Sequence, residues 1–179
     1  RRVLGVIRPT VEVVGTLTKT RHIGILATEG TIRSHSYALE IKKLSPDITV
    51  TGVACPLWVP IIENNEAGTP GADYFVKKRI DHILQTDPAI DTLILGCTHY
   101  PILMPTIKKY TPKNVNVMAQ GDYVARSLRD YLHRHQEINA RCTLHGTVRY
   151  FTTERADKFD DHASIFLDDK VKAEHISLE

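Results

Sequence analysis

Four short apolar runs, His22 to Ala27, Ile48 to Ala54, Leu93 to Leu95 and Val115 to Met118, are separated by stretches with helical spacing. This alternation is the strongest constraint on the fold. Successive parallel strands need a crossover, usually a helix, to carry the chain back across the sheet. The pattern through about residue 135 predicts an α/β fold, a doubly wound parallel sheet with helices on both faces. Helical spacing marks Val11 to Leu17, Ile32 to Leu44, Leu57 to Asn65, Tyr74 to Leu84, about Pro101 to Tyr110 and about Asp122 to His135. Val3 to Ile7 is a further apolar run, stopped by Arg8-Pro9, and Asn64 to Asp73, with two glycines and Pro70, reads as a flexible loop.

Ligands of such sheets bind beyond the carboxyl ends of the strands. Three of those ends carry side chains able to do chemistry: Thr28, Cys55 and Cys97. The third is the most suggestive. After Leu95 the chain reads Gly96-Cys97-Thr98-His99-Tyr100-Pro101, a thiol, a hydroxyl and an imidazole between a strand end and a helix start. Gly96 suits a sharp turn, and Pro101 suits a first helical turn, where its missing amide hydrogen is not needed. Amides at a helix N-terminus favour a thiolate, so Cys97 reads as a reactive group serving as nucleophile or base. A buried structural cysteine and a metal ligand are the competing readings. The polar neighbours argue against the first, and the lack of paired short Cys/His spacings argues against the second.

Several groups could assist Cys97. His99 could orient the thiol, supply a proton or stabilise negative charge, or simply face solvent. Thr98 and Thr31 offer hydroxyls beside helix-start amides, a seat for a carboxylate or phosphate, although N-capping explains them equally. Capping is at least as good an account of Thr28. Glu63, alone after Pro60-Ile61-Ile62, reads as solvated surface, Cys55 before Pro56 and Trp58 as packing, and His133 and His135 as exposed.

A net charge of +2 is too small to argue for nucleic acid and no dense basic stripe compensates, so no nucleic-acid partner is expected. No run approaches the roughly 20 apolar residues needed to span a bilayer, and the first residues have no signal-peptide layout. Three scattered cysteines are no disulfide framework, so the cytoplasm is the expected compartment. The tail departs from the α/β pattern: Val148 to Phe151 reads as a strand, Thr153 to Phe166 as a helix with Asp157, Asp160 and Asp161 on its wet side, and Ala173 to Leu178 as a last strand. So little structure buries little core alone, and the tail is expected to dock onto something else.

At Gly96 to Pro101 the chain resembles the glutamate racemases of bacterial cell-wall synthesis. The resemblance extends to Gly5-Val6-Ile7 with Pro9, Ala27 to Ile32, Cys55-Pro56-Leu57 with Val59-Pro60 and Glu63, Phe151-Thr152-Thr153 and Glu174-His175-Ile176. It implies cofactor-independent interconversion of L- and D-glutamate for peptidoglycan synthesis, with no cofactor and no metal. One thiolate removes the α-proton while a second thiol supplies a proton to the opposite face. The resemblance makes Cys97 the second of the two cysteines, with His99 its auxiliary, Glu63 a supporting carboxylate, and Thr98, Thr31, Thr28 and His99 the substrate contacts. It also implies a small-molecule substrate, glutamate, and a homodimer as the intact enzyme.

The chain departs from that family in three ways. It lacks the Cys-Asn-Thr stretch that would carry the first cysteine, and the Asp-Ser pair that the family places in the same earlier stretch. Ala119-Gln120-Gly121 stands where many members have Asp-Ser, and Arg8 stands where an acidic residue is expected. The expectation is therefore a second α/β domain at residues 1–118, with 119–179 a C-terminal segment that packs with a missing N-terminal domain, the piece being inactive alone. An aspartate or related amino-acid racemase, or a non-catalytic module that binds acidic ligands, are the alternatives.

Overall fold

Leu93, Ile94 and Leu95 are buried on both sides, as a strand at the centre of a layered sheet must be. The computed structural model describes residues 4–167 and 169–178; Val3, at the head of the first apolar run, lies outside the described residues. Strands β1 (His22–Ala27), β2 (Thr49–Ala54), β3 (Thr92–Leu95) and β4 (Asn116–Ala119) form one sheet in the order β2-β1-β3-β4. Every pairing is parallel, with Ile23 opposite Thr92 and Leu95 opposite Ala119. The doubly wound α/β sheet expected from the alternation is what the chain forms.

Side chains alternate across these strands and divide the core in two. Leu26, Val53, Leu93 and Leu95 face α4 (Trp58–Glu63), α5 (Pro70–Thr86) and α6 (Met104–Tyr110), where Trp58, Ile62, Val76, Ile80, Ile83 and Ile107 are buried with them. Ile23, Ile25, Ala27, Ile94 and Met118 face the other way, against α1 (Ile7–Leu17) and α3 (Ser36–Leu44) through Val11, Val14, Tyr37 and Ile41. Arg8, on α1, pairs with Glu12 at 3.0 Å and Glu40 at 3.2 Å, so its place in this chain is on the α1–α3 surface.

Four elements differ from the sequence reading, the first being α1, which opens at Ile7 and runs through Arg8-Pro9 instead of starting at Val11. The helix expected over Ile32 to Leu44 is broken into α2 (Glu29–Arg33) and α3 by His35, whose φ of 53° is left-handed. Ser34 causes much of this locally: its hydroxyl donates to the Thr31 carbonyl at 2.8 Å and meets the Ser36 hydroxyl, bonds that compete with a continuing helix. The expected loop to Asp73 ends earlier, because Thr69 caps α5 by accepting the Ala72 amide, and Pro70 sits at its first turn. The helix expected from Pro101 opens as a 3-10 turn, Tyr100–Leu103, before α6.

The chain divides into two units, Arg1–Tyr131 and Leu132–Glu179, the division falling within α7 (Gly121–Arg134). In the second unit, after the short α8 (Gln136–Asn139), β5 (Tyr150–Thr152) pairs in parallel with β6 (Ala173–His175), and α9 (Ala156–Leu167) lies between them in sequence. Asp160, expected on the wet side of that helix, accepts the Ala173 amide at 2.7 Å and holds α9 to β6. Among the described residues of this unit only Thr152, Val171 and Ala173 are buried, while Leu144, Val148, Phe151, Phe166 and Leu178 are exposed.

Candidate functional site

The site begins where β3 ends. Gly96 still donates its amide to the Leu26 carbonyl of β1 at 2.8 Å, so the backbone leaves the sheet only after it. The sequence suggested glycine for conformational freedom, yet among the described residues no glycine has a positive φ. The reason is space: a Cβ on Gly96 would lie 3.0 Å from the Ala27 Cβ and 3.2 Å from Tyr37 Cε2.

Cys97 follows, half-buried and unpaired with another cysteine. Burial pushes its thiol pKa up. The amides of His99 and Tyr100 pull it back, and the charge of Glu63 adds to the rise, so the net direction is upward. The expectation of a standing thiolate is therefore corrected. The 3-10 turn supplies only local amides, and these do not outweigh desolvation. The setting favours the thiol form of Cys97 over the thiolate.

An imidazole is adjacent. Nδ1 of His99 lies 3.9 Å from the Cys97 sulfur, and its Nε2 lies 3.2 Å from Glu63 Oε1. A carboxylate can only accept, so Glu63 fixes the proton of a neutral His99 on Nε2 and leaves the Nδ1 lone pair towards the thiol. With the Glu63 side chain 42% exposed, this contact contributes little to stability, and its consequence is orientation. Glu63 is the last residue of α4, whose Trp58 packs edge-on against Tyr100 with ring centroids 4.8 Å apart. Apolar packing thus holds α4 and the Cys97 turn in register.

The threonines are placed differently. Thr28 follows β1 and caps α2, its oxygen accepting the Thr31 amide at 3.4 Å and meeting the Thr31 hydroxyl at 3.0 Å. These two form a hydroxyl pair at the strand end beside that of β3. Thr98 is exposed, and its hydroxyl makes no hydrogen bond among the described residues. Cys55 is core: 1% exposed, its thiol pushed up to about 12 by burial. Cys142 is exposed, in the second unit. Among the described residues no group of His, Cys, Asp or Glu side chains could hold a metal ion, and no helix is long and apolar enough to cross a membrane.

A cleft of about 810 Å³ opens at the other end of the sheet, lined by Lys19, Thr20, Asp91, Lys108 and Asn116. It includes none of the candidate residues. Two residues near Cys97 escaped the sequence reading. Gln120 was visible only as a departure and Tyr37 only as a helix-spacing residue, yet both lie against the Gly96 backbone. No local sequence signal identifies either, because the contact joins positions far apart in the chain.

No family model matches the chain. A glutamate racemase of Shouchella clausii is 34% identical over 177 residues, which are 97% of this chain and 63% of the relative. A crystal structure of the glutamate racemase isoform RacE1 from Bacillus anthracis superposes with a TM-score of 0.89 at 33% identity, covering 98% of this chain and 65% of that one. The glutamate racemase of Francisella tularensis, solved in complex with D-glutamate, gives a TM-score of 0.84 at 30% identity, covering 97% and 63%. The chain thus spans just under two thirds of the length of these relatives.

Proposed function

We propose, on the premise that this chain is a homologue of the glutamate racemases along nearly its whole length, that it supplies one of the two proton-transfer faces of a glutamate racemase. The observation that carries this reading is the line Cys97–His99–Glu63 at the carboxyl edge of β3, with steps of 3.9 Å and 3.2 Å. Inverting a stereocentre without a carrier needs a base on one face and an acid on the other. In one direction Cys97 gives its proton to His99, and the thiolate takes the α-proton. The Cα–H bond breaks, an S–H bond forms, and the resulting carbanion collects a proton from a second thiol on the opposite face. In the other direction Cys97 is the acid. Thr98 and the Thr28–Thr31 pair hold the substrate carboxylates, and glutamate is suggested by the D-glutamate bound to the Francisella tularensis relative.

The second thiol is assigned to the part of the relatives that this chain does not match. Cys55 is too buried for the role, and Cys142 does not stand in a Cys-Asn-Thr context. Residues 1–118 then form the domain that carries Cys97, and 119–179 a segment that packs against the domain holding the second thiol. The exposed apolar side chains of that segment support the assignment. The reaction falls in the cytoplasm, ahead of peptidoglycan synthesis, in an enzyme that is a homodimer when intact.

Polarimetry on L-glutamate, with Cα–deuterium exchange, tests the reading. The 179-residue chain alone is expected not to invert glutamate. Completed at its N-terminus by the matching part of a glutamate racemase, it is expected to turn over, and Cys97→Ala to abolish that turnover. Retained turnover in Cys97→Ala, or faster turnover of aspartate than of glutamate, overturns it.

A further inference from the structure

Gln120 is the residue immediately after β4, and its side chain reaches back across the sheet end. Nε2 donates to the Tyr37 hydroxyl and, at 3.1 Å, to the Leu95 carbonyl. That carbonyl belongs to the peptide joining Leu95 to Gly96. On the other side of the same peptide, Gly96 donates to Leu26 at 2.8 Å, and Tyr37, 4% exposed, lays its ring edge against the glycine. The peptide before Cys97 is thus gripped by β1, by α3 through Tyr37, and by the β4–α7 junction through Gln120.

We infer that Gln120 and Tyr37 are positioning residues that fix the direction in which the Cys97 thiol leaves the sheet. Tyr37 supplies bulk that crowds any side chain at position 96, and Gln120 supplies the tie that stops the Leu95–Gly96 peptide from rotating. Rotation would carry the sulfur away from the His99 and Tyr100 amides, which oppose the effect of burial on the thiol. The β4–α7 junction, where the sequence departs from the Asp-Ser of many racemases, therefore acts on Cys97 through two hydrogen bonds, without contact with substrate. The inference rests on the reading of Cys97 as a proton-transfer thiol.

The test is the pH profile of Cys97 alkylation by iodoacetamide in the 179-residue chain carrying Cys142→Ser, with labelling located by mass spectrometry. Gln120→Met keeps the length of the side chain and removes its donor. It is expected to move the midpoint up by about one pH unit, so that alkylation at neutral pH slows about tenfold. Tyr37→Phe keeps the ring and is expected to shift the midpoint the same way by less. A merely structural role would alter melting and leave the midpoint in place. An unchanged midpoint in folded Gln120→Met overturns the inference, and if that variant does not fold, an unchanged midpoint in Tyr37→Phe does so. Failure of the racemase reading would appear elsewhere, as turnover surviving Cys97→Ala, so the two failures are distinguishable.

Discussion

Tyr100 donates its hydroxyl to the backbone carbonyl of Cys55 at 3.2 Å, tying the turn after β3 to the end of β2 across the intervening β1. Both residues are buried, so the bond has no water to replace it. Tyr100→Phe is expected to cost about 1 kcal/mol, the loss of one of two hydrogen bonds to that carbonyl, which still accepts the Trp58 amide at 3.2 Å, with ring packing on Trp58 retained. Urea denaturation measures the loss. An unchanged midpoint would mean that the Trp58 amide alone satisfies the carbonyl.

Crowding at Gly96 leads to a second expectation. A methyl there must displace Ala27 or the Tyr37 ring by a few tenths of an ångström, and both are held in the core. Gly96→Ala should destabilise by about 1–3 kcal/mol and disturb Cys97 more than a substitution at the exposed Gly30, where nothing lies near an added Cβ. Thermal melting of the two variants compares them.

The three thiols should separate by reactivity. At neutral pH Cys142 should be alkylated first, Cys97 more slowly than an ordinary exposed cysteine, and Cys55 not at all in the folded protein. Because the Cys97 pKa lies above the ordinary 9.0, its rate should still be climbing where an exposed thiol has levelled off.

Glu63→Gln should act in opposite directions on two readouts. Removing the charge lowers the Cys97 pKa, because Glu63 contributes to raising it, and alkylation should quicken. An amide no longer fixes the His99 tautomer, so turnover of a completed enzyme should fall by about tenfold, in kcat more than KM. Movement of both in the same direction would remove Glu63 from the orienting role.

Asp91, just before β3, binds the loop that leads into β1. Its carboxylate accepts the Lys19 amide at 2.6 Å and the Thr20 amide at 2.8 Å, with the Thr92 hydroxyl at 3.0 Å. Partial burial pushes its pKa up, but these bonds and the Thr18 hydroxyl outweigh it and hold it at about 2, below the ordinary 3.8. A depressed carboxyl pKa stabilises the fold above the unfolded value and loses that contribution as pH falls through the folded one. Wild type should exceed Asp91→Asn by about 1 kcal/mol above pH 4, after allowance for solvent screening, and the two should converge by about pH 2.

The parts of the fold legible in the sequence were those governed by local rules. β1 matched its run residue for residue, because Ile23 to Ala27 are buried on both faces and Thr28 at once caps the next helix. The Thr69-Pro70 start of α5 was available too, as cap and first turn, but the nearby glycines masked it. His35 was not legible: nothing in its residue type requires a left-handed backbone, and the break comes from serine hydroxyls competing for the chain. At the site, Cys97 stood out because strand end, thiol and imidazole are neighbours in sequence. Gln120 and Tyr37 did not, since they lie 83 residues apart and meet only through the sheet.

The strand order has a consequence for how the molecule breathes. β1 and β3 are each paired on both sides, whereas β2 and β4 are sheet edges. Amide hydrogen exchange should therefore be slowest in β1 and β3 and faster in the outer strands, which can open without the centre. Cys97 hangs from one of the most protected strands, while Glu63 and Gln120 reach it from α4 and the β4–α7 junction. Partial opening would thus remove the helpers before it moved the thiol, leaving a chemically intact Cys97 without the groups that direct it.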